Sequence, residues 1–354
     1  MLRRRLGLLV LTALALAAAP ARAQGLTITV PAPYQTVQRT SATVGILTIA
    51  GTYTGSPTAI EASFNGGGFA TIDAAPAGGT FSGTLTNQTP GQGTLTVRFT
   101  NDTGITDTQA DVGIGDVFLV IGDSIAEGRG TNPQSYTHAT LKATVFRQDD
   151  AWANGNDPVD TGTTDGSHWP LLATLMMADL GVPVAFITTG TGSTDVAGTS
   201  NQWAEPNSAY EEAEAQAAAA TGRIKAVLAH LGPNAVVNAT TISEATYRTA
   251  LDTLAANLAN DIAGAPPLSL ALFGEVSTGS PPDRETAIAN LRAAILSAWS
   301  ENAQIIPGPD LTDLDYADGV HPQTDPHLTL VASRWWGAIR SSLYPGPWRL
   351  RVSP

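Results

Sequence analysis

A serine and, much later in the chain, an aspartate and a histidine have the types and spacing to do chemistry together. Gly122-Asp123-Ser124-Ile125 follows directly on the apolar run 117–121, which puts a serine hydroxyl at the end of a buried strand. Asp318-Gly319-Val320-His321-Pro322 then supplies a carboxylate and an imidazole three residues apart. A serine needs a base to become a nucleophile, and the base needs a carboxylate to orient it. Both partners are present, so the chain reads as a serine hydrolase.

These residues must be positioned by a scaffold, and the hydropathy pattern describes one. Residues 117–121, 182–187, 226–231 and 268–273, and a weaker run at 304–306, are continuous apolar stretches, as the covered strands of a parallel sheet should be. Between them lie helix-like stretches at 169–180, 208–220, 243–263, 283–300 and 326–343. Strand–helix alternation predicts a doubly wound α/β domain over 113–354, whose ligands bind at the carboxyl ends of the strands. Residues 24–112 differ: short alternating runs at 26–30, 44–53, 60–64, 80–86 and 94–100 are separated by turns such as Asn65-Gly66-Gly67-Gly68. That spacing predicts a small all-β sandwich of immunoglobulin-like type, and with no histidine in it no chemistry is assigned there. Residues 131–167 are irregular and rich in Asp, Asn, Gly and Thr, which suits either a binding loop or a surface excursion.

Composition narrows the class. Of 354 residues 43% are hydrophobic and 14% charged, and the formal net charge is −13 with Lys142 and Lys225 as the only lysines. That balance argues against nucleic acid and anionic membrane surfaces as partners. Residues 1–23 read as a secretory leader: basic to Arg5, apolar at 6–19, with Ala21-Arg22-Ala23 as the cleavage signal. The mature protein is expected to be secreted or periplasmic, without stable membrane anchoring. The chain has no cysteine, so disulfides and thiol catalysis are excluded. No His-Glu-x-x-His or EF-hand spacing occurs, and neither a metal nor another cofactor is expected.

Four segments that follow successive strands carry a family pattern: Gly122-Asp123-Ser124, Gly190-Thr191-Gly192-Ser193-Thr194, Gly232-Pro233-Asn234 and Asp318-Gly319-Val320-His321. In this order they resemble the SGNH (GDSL-type) hydrolases, over roughly residues 115–343. The resemblance implies a flavodoxin-like three-layer fold and ester hydrolysis through an acyl-serine intermediate. It makes Ser124 the nucleophile, His321 the general base and Asp318 the residue that orients the imidazole. The backbone N–H groups of Ser124 and Gly192 and the side-chain amide of Asn234 would form the oxyanion hole. Such donors suit the chemistry, since attack on an ester carbonyl builds negative charge on oxygen. One departure concerns the third block, where the family usually has Asp after the Asn and this chain has Ala235.

A looser resemblance is to sialate O-acetylesterase-like and acetylxylan-esterase-like proteins. It rests on the β-rich segment feeding Gly115-Asp116-Val117, the Gly192-Ser193-Thr194 turn and Trp203 downstream. Those proteins usually carry Gln-Gly-Glu where this chain has Leu231-Gly232-Pro233. The expected substrate is an acylated glycan or another small ester, with an O-acetyl sugar as the leading expectation. Trp152, Trp169, Trp203, His168 and His230 are candidates to line its pocket, each with a packed-core alternative. A lipase or general short-chain esterase and a catalytically silent glycan-binding protein are the competing readings.

Overall fold

The computed structural model describes residues 24–160, 165–220, 222–238, 242–278 and 283–345; the expected leader at 1–23 lies outside them. The N-terminal part holds β1 (Gly25–Val30), β2 (Thr36–Gln38), β3 (Gly45–Thr54), β4 (Ile60–Phe64), β5 (Ala70–Asp73), β6 (Thr80–Gln88) and β7 (Gly91–Phe99). These strands alternate as half-buried strands must: in β3 Leu47 and Ile49 face inward while Ile46 and Thr48 face solvent. Strands β1, β3 and β6 form one sheet, and β5, β4 and β7 pair onto the beginning of β8 (Thr106–Gly122) in another. Side chains from both, among them Ile49, Phe81, Ile60, Val97 and Ile114, share one core.

Strand β8 joins this unit to the rest of the molecule. Its first residues, Thr106 to Asp111, alternate in exposure, and from Val112 onward every residue is buried. The boundary expected between 112 and 113 therefore falls inside one continuous strand. Beyond it come α1 (Ser124–Glu127), β9 (Ala143–Phe146), β10 (Trp152–Asn154), α2 (Trp169–Leu180), β11 (Val184–Thr188) and α3 (Ser208–Ala220). They are followed by β12 (Ala226–His230), α4 (Pro233–Val237), α5 (Glu244–Asp261), β13 (Leu268–Leu272), α6 (Arg284–Glu301), β14 (Ile305–Asp310) and α7 (Asp325–Leu343).

Strands β11, β8, β12, β13 and β14 lie side by side in that order, all parallel. This is the 2-1-3-4-5 order of a flavodoxin-like sheet, with its switch point beside β8. The irregular stretch 131–167 contributes two strands that were not expected: β9 adds parallel to β11, and β10 closes the edge antiparallel to β9. Successive side chains of β8 point to opposite faces. Val117, Leu119 and Ile121 pack with α3, α5 and α6, whereas Phe118 and Val120 pack with α2 and α7. The result is the three-layer α/β arrangement, with the carboxyl edge of β8 as the natural place for chemistry.

Candidate active site

Ser124 begins α1 at the end of β8, and the turn that presents it is tightly constrained. Gly122 has φ 129°, and a Cβ there would lie 2.1 Å from the carbonyl oxygen of His230, so only glycine fits. Asp123 caps α1, its carboxylate accepting the Ile125 N–H at 2.9 Å. The same oxygen faces His230 Nδ1 at 3.2 Å, and the Asp123 N–H donates to the His230 carbonyl at 3.1 Å. From below, the Trp169 indole N–H donates to the Ala126 carbonyl at 2.7 Å. Side chains from β12 and α2 thus fix the four-residue helix.

The Ser124 hydroxyl lies 2.7 Å from His321 Nε2, and His321 Nδ1 lies 2.6 Å from the Asp318 carboxylate. The three residues, distant in sequence, form one hydrogen-bonded chain at the carboxyl edge of the sheet. Asp318 also accepts the backbone N–H groups of Val320 at 3.0 Å and His321 at 2.8 Å, and the Gln323 amide at 3.1 Å. Partial burial opposes its ionisation, but the bonds from His321 and Val320 outweigh this and hold its carboxyl below the ordinary carboxylate value. Gly319, at φ 80°, supports the turn, and its carbonyl accepts the Ser277 N–H at 2.8 Å. The Thr131 N–H donates to the Gln323 carbonyl at 2.8 Å, which ties the 131–167 segment to the histidine loop.

Gly192 also lies beside the nucleophile: a Cβ built on it would stand 3.8 Å from Ser124 Cβ and 2.8 Å from the Glu127 carboxylate. Glu127 and Arg129 had no part in the sequence expectation. Their side chains pair at 2.6 Å, and Asp165 lies 3.7 Å from the same guanidinium. Burial pushes the Glu127 carboxyl up, against the pull of Arg129 and of the Gly192 backbone N–H. The N–H expected to serve an oxyanion thus also faces a carboxylate. Asn234 sits half-buried in the first turn of α4, just after His230, which pairs with Gly122 across β12 and β8. The only sequence signal for Glu127 and Arg129 was their closeness to Ser124.

The residues expected to touch substrate are placed differently. Trp203 is fully buried, its indole N–H donating to the Thr194 hydroxyl at 2.9 Å. Trp169 is likewise fully enclosed, and His168 lies against it with ring centroids 4.1 Å apart. Burial pushes the His168 imidazole down to about 3, with the nearby His230 adding to the shift, so it stays neutral. His230 is buried against Asp123. None of these four presents a face to a sugar; their apolar bodies are consumed in packing. Trp152 is half-buried on β10 at the sheet edge, 5.3 Å from the Phe146 ring, with β9 and β11 between it and β8. Among the described residues no group of three or more His, Asp or Glu side chains is arranged to hold a metal ion.

A family model described as carbohydrate esterase, sialic acid-specific acetylesterase, matches residues 114–334. The chain belongs to that family. The match begins within β8 and ends within α7, so it takes in Ser124, the Gly192 turn, Asn234 and the Asp318–His321 pair. Membership makes the protein a hydrolase of carbohydrate-esterase type. Among solved structures, the fold is similar to a carbohydrate acetylesterase from Xanthomonas citri, with 16% identity, a TM-score of 0.61, and coverage of 89% of this chain and 74% of that one. It is also similar to a protein from Arabidopsis thaliana, with 18% identity, a TM-score of 0.53, and coverage of 64% of this chain and 98% of that one. No curated protein matched the sequence.

Proposed function

We propose that this esterase-family protein is an exported serine esterase that removes O-acetyl groups from carbohydrate through an acyl-serine intermediate. The observation that carries the reading is the continuous chain from Ser124 through His321 to Asp318 at the carboxyl edge of β8. His321 takes the Ser124 proton as Oγ attacks the ester carbonyl, and Asp318 stabilises the imidazolium that forms. The tetrahedral oxyanion is met by the N–H groups of Ser124 and Gly192 and by the Asn234 amide. The imidazolium returns its proton to the departing sugar hydroxyl. A water activated by the same base then releases acetate.

For the Gly192 N–H to serve, the Glu127 carboxylate that faces it must yield to the substrate oxygen. Arg129, which already holds Glu127, gives that carboxylate somewhere to stay. Acetyl preference is supported by the short, polar sequences of the turns at 190–194, 232–234 and 318–321. Export is supported by the pattern of residues 1–23.

A substrate panel tests the reading. Acetylated oligosaccharides should be cleaved faster than p-nitrophenyl acetate, and acetate esters much faster than octanoate esters. Each methylene accommodated in an acyl tunnel would add about 0.8 kcal/mol of binding, so a lipase shows the reverse order. A rate climbing steadily from acetate to octanoate removes the glycan reading.

A further inference from the structure

Asp195 lies in the loop after β11, three residues beyond Gly192, and has no part in the proton chemistry just described. It is completely buried, and its carboxylate is the meeting point of four donors from three elements. One oxygen accepts the N–H groups of Gly232 and Ala235, both at 3.0 Å. The other accepts the Val196 N–H at 2.8 Å and the Tyr247 hydroxyl at 2.8 Å. Gly232 and Ala235 flank the Pro233-Asn234 pair at the start of α4, while Tyr247 belongs to α5.

The loop is anchored on its other side as well. The Thr191 N–H donates to the Gly122 carbonyl at 2.8 Å, and the Thr194 hydroxyl donates to the Thr191 carbonyl at 2.6 Å. Thr194 in turn is braced by the Trp203 indole, and the Trp203 backbone N–H reaches the Asp195 carbonyl at 3.3 Å. A short rigid path therefore runs from the end of β8 through the Gly192 turn to the turn that carries Asn234.

Position 235 sharpens the meaning of this contact. The residue directly after Asn234 is Ala235, and its backbone N–H is met by a carboxylate. That carboxylate comes from a different loop. Burying a carboxylate is costly unless donors satisfy its oxygens, and here the four that do so come from the loop, α4 and α5. Burial pushes its carboxyl up to about 6, helped by the neighbouring charge of Asp123 and opposed by the Val196 and Ala235 N–H groups and the Tyr247 hydroxyl.

We infer that Asp195 is the positioning residue that locks the Asn234 turn to the Gly192 turn, so that both donors reach one oxyanion together. The inference rests on the serine-esterase reading above. Oxyanion donors act in proportion to their preorganisation, and loss of one commonly costs about 10²–10³ in rate. A donor arm that drifts should therefore lower kcat while leaving the resting affinity for the ester little changed.

The test is Asp195→Asn, which keeps shape but turns one acceptor into an NH2 group facing backbone N–H donors. With p-nitrophenyl acetate, kcat should fall about 100-fold and KM should move by less than about threefold. Near-UV circular dichroism establishes that the variant is folded. If it does not fold, Tyr247→Phe carries the test, removing one of the four donors and lowering kcat several-fold at unchanged KM. Wild-type kcat in the folded variant tested, or a matching rise in KM, overturns the inference. Ser124→Ala runs alongside: turnover that persists there removes the serine reading itself, whereas a dead Ser124→Ala beside a fully active Asp195→Asn removes only the role of Asp195.

Discussion

At the scale of single residues, the proposed mechanism divides labour between an imidazole that moves protons and a carboxylate that holds it. His321 touches both the nucleophile and Asp318, while Asp318 touches the imidazole, the backbone of its own turn and the Gln323 amide, and not the nucleophile. The two should therefore not be equivalent to mutation. Replacing His321 with Gln should cost on the order of 10⁶ in kcat, and Asp318→Asn about 10⁴, as for other triads dissected this way. Initial rates at saturating ester measure the difference, and equal losses would contradict the separate roles. The residues of the hydrogen-bonded chain were legible in the sequence because Ser124 ends an apolar run and, of only five histidines, His321 follows an aspartate at three residues and lies just before the last helix. The substrate contacts were not. Trp203, Trp169, His168 and His230 have bodies as suited to a core as to a sugar face, and nothing in residue type separates the two uses.

At the scale of elements, short structures do the positioning and long ones supply the foundation. The five expected helices 169–180, 208–220, 243–263, 283–300 and 326–343 correspond to α2, α3, α5, α6 and α7 within a few residues, since long segments carry their signal in many positions. The helices α1 and α4, with four and five residues, are too short to show a period, and they hold Ser124 and Asn234. Strands β9 and β10 are hidden in the same way inside a polar stretch.

The start of α2 offers a prediction about acid. His168 takes up a proton only near pH 3 in the folded state, against an ordinary value of 6.5, because burial disfavours its charge. The unfolded chain binds more protons between those values, so this group's contribution is present above pH 6.5 and is lost as pH falls towards 3. The slope is up to about 1.4 kcal/mol per pH unit. His168→Phe keeps the aromatic packing on Trp169 and has no proton to bind. It should lose less stability than the parent protein between about pH 7 and 4, read from urea midpoints. Identical pH slopes would contradict the assignment. Asp195 acts in the opposite sense: its folded value near 6 exceeds the ordinary 3.8, so stability is lost as pH rises through that window.

At the scale of the whole molecule, the N-terminal β-unit and the α/β layers are built around a shared strand. The expected boundary at 112 arose because β8 changes pattern there, from the alternation of a half-exposed strand to the continuous apolarity of a covered one. Hydrogen bonding continues across the change. Close to it, the fully buried Asp116 accepts from Arg39 at 2.8 and 2.6 Å and from the Tyr344 hydroxyl at 2.7 Å. One carboxylate of β8 thus binds the loop after β2 to the end of α7. Removing one partner of a buried pair strands the other, at about 3–5 kcal/mol. Asp116→Asn should therefore lower global stability by about that amount, with the two parts still melting in one transition and kcat at low temperature retained. Calorimetry that separates into two transitions in the parent protein would contradict this coupling.

The proposed chemistry depends on Ser124 Oγ being the atom that forms the covalent intermediate. The most direct measurement is labelling of the intact protein with a fluorophosphonate, followed by peptide mass spectrometry. A single adduct on Ser124 is predicted, abolished in Ser124→Ala and much slowed in His321→Gln. An adduct on Ser193, or undiminished labelling of Ser124→Ala, would contradict the account.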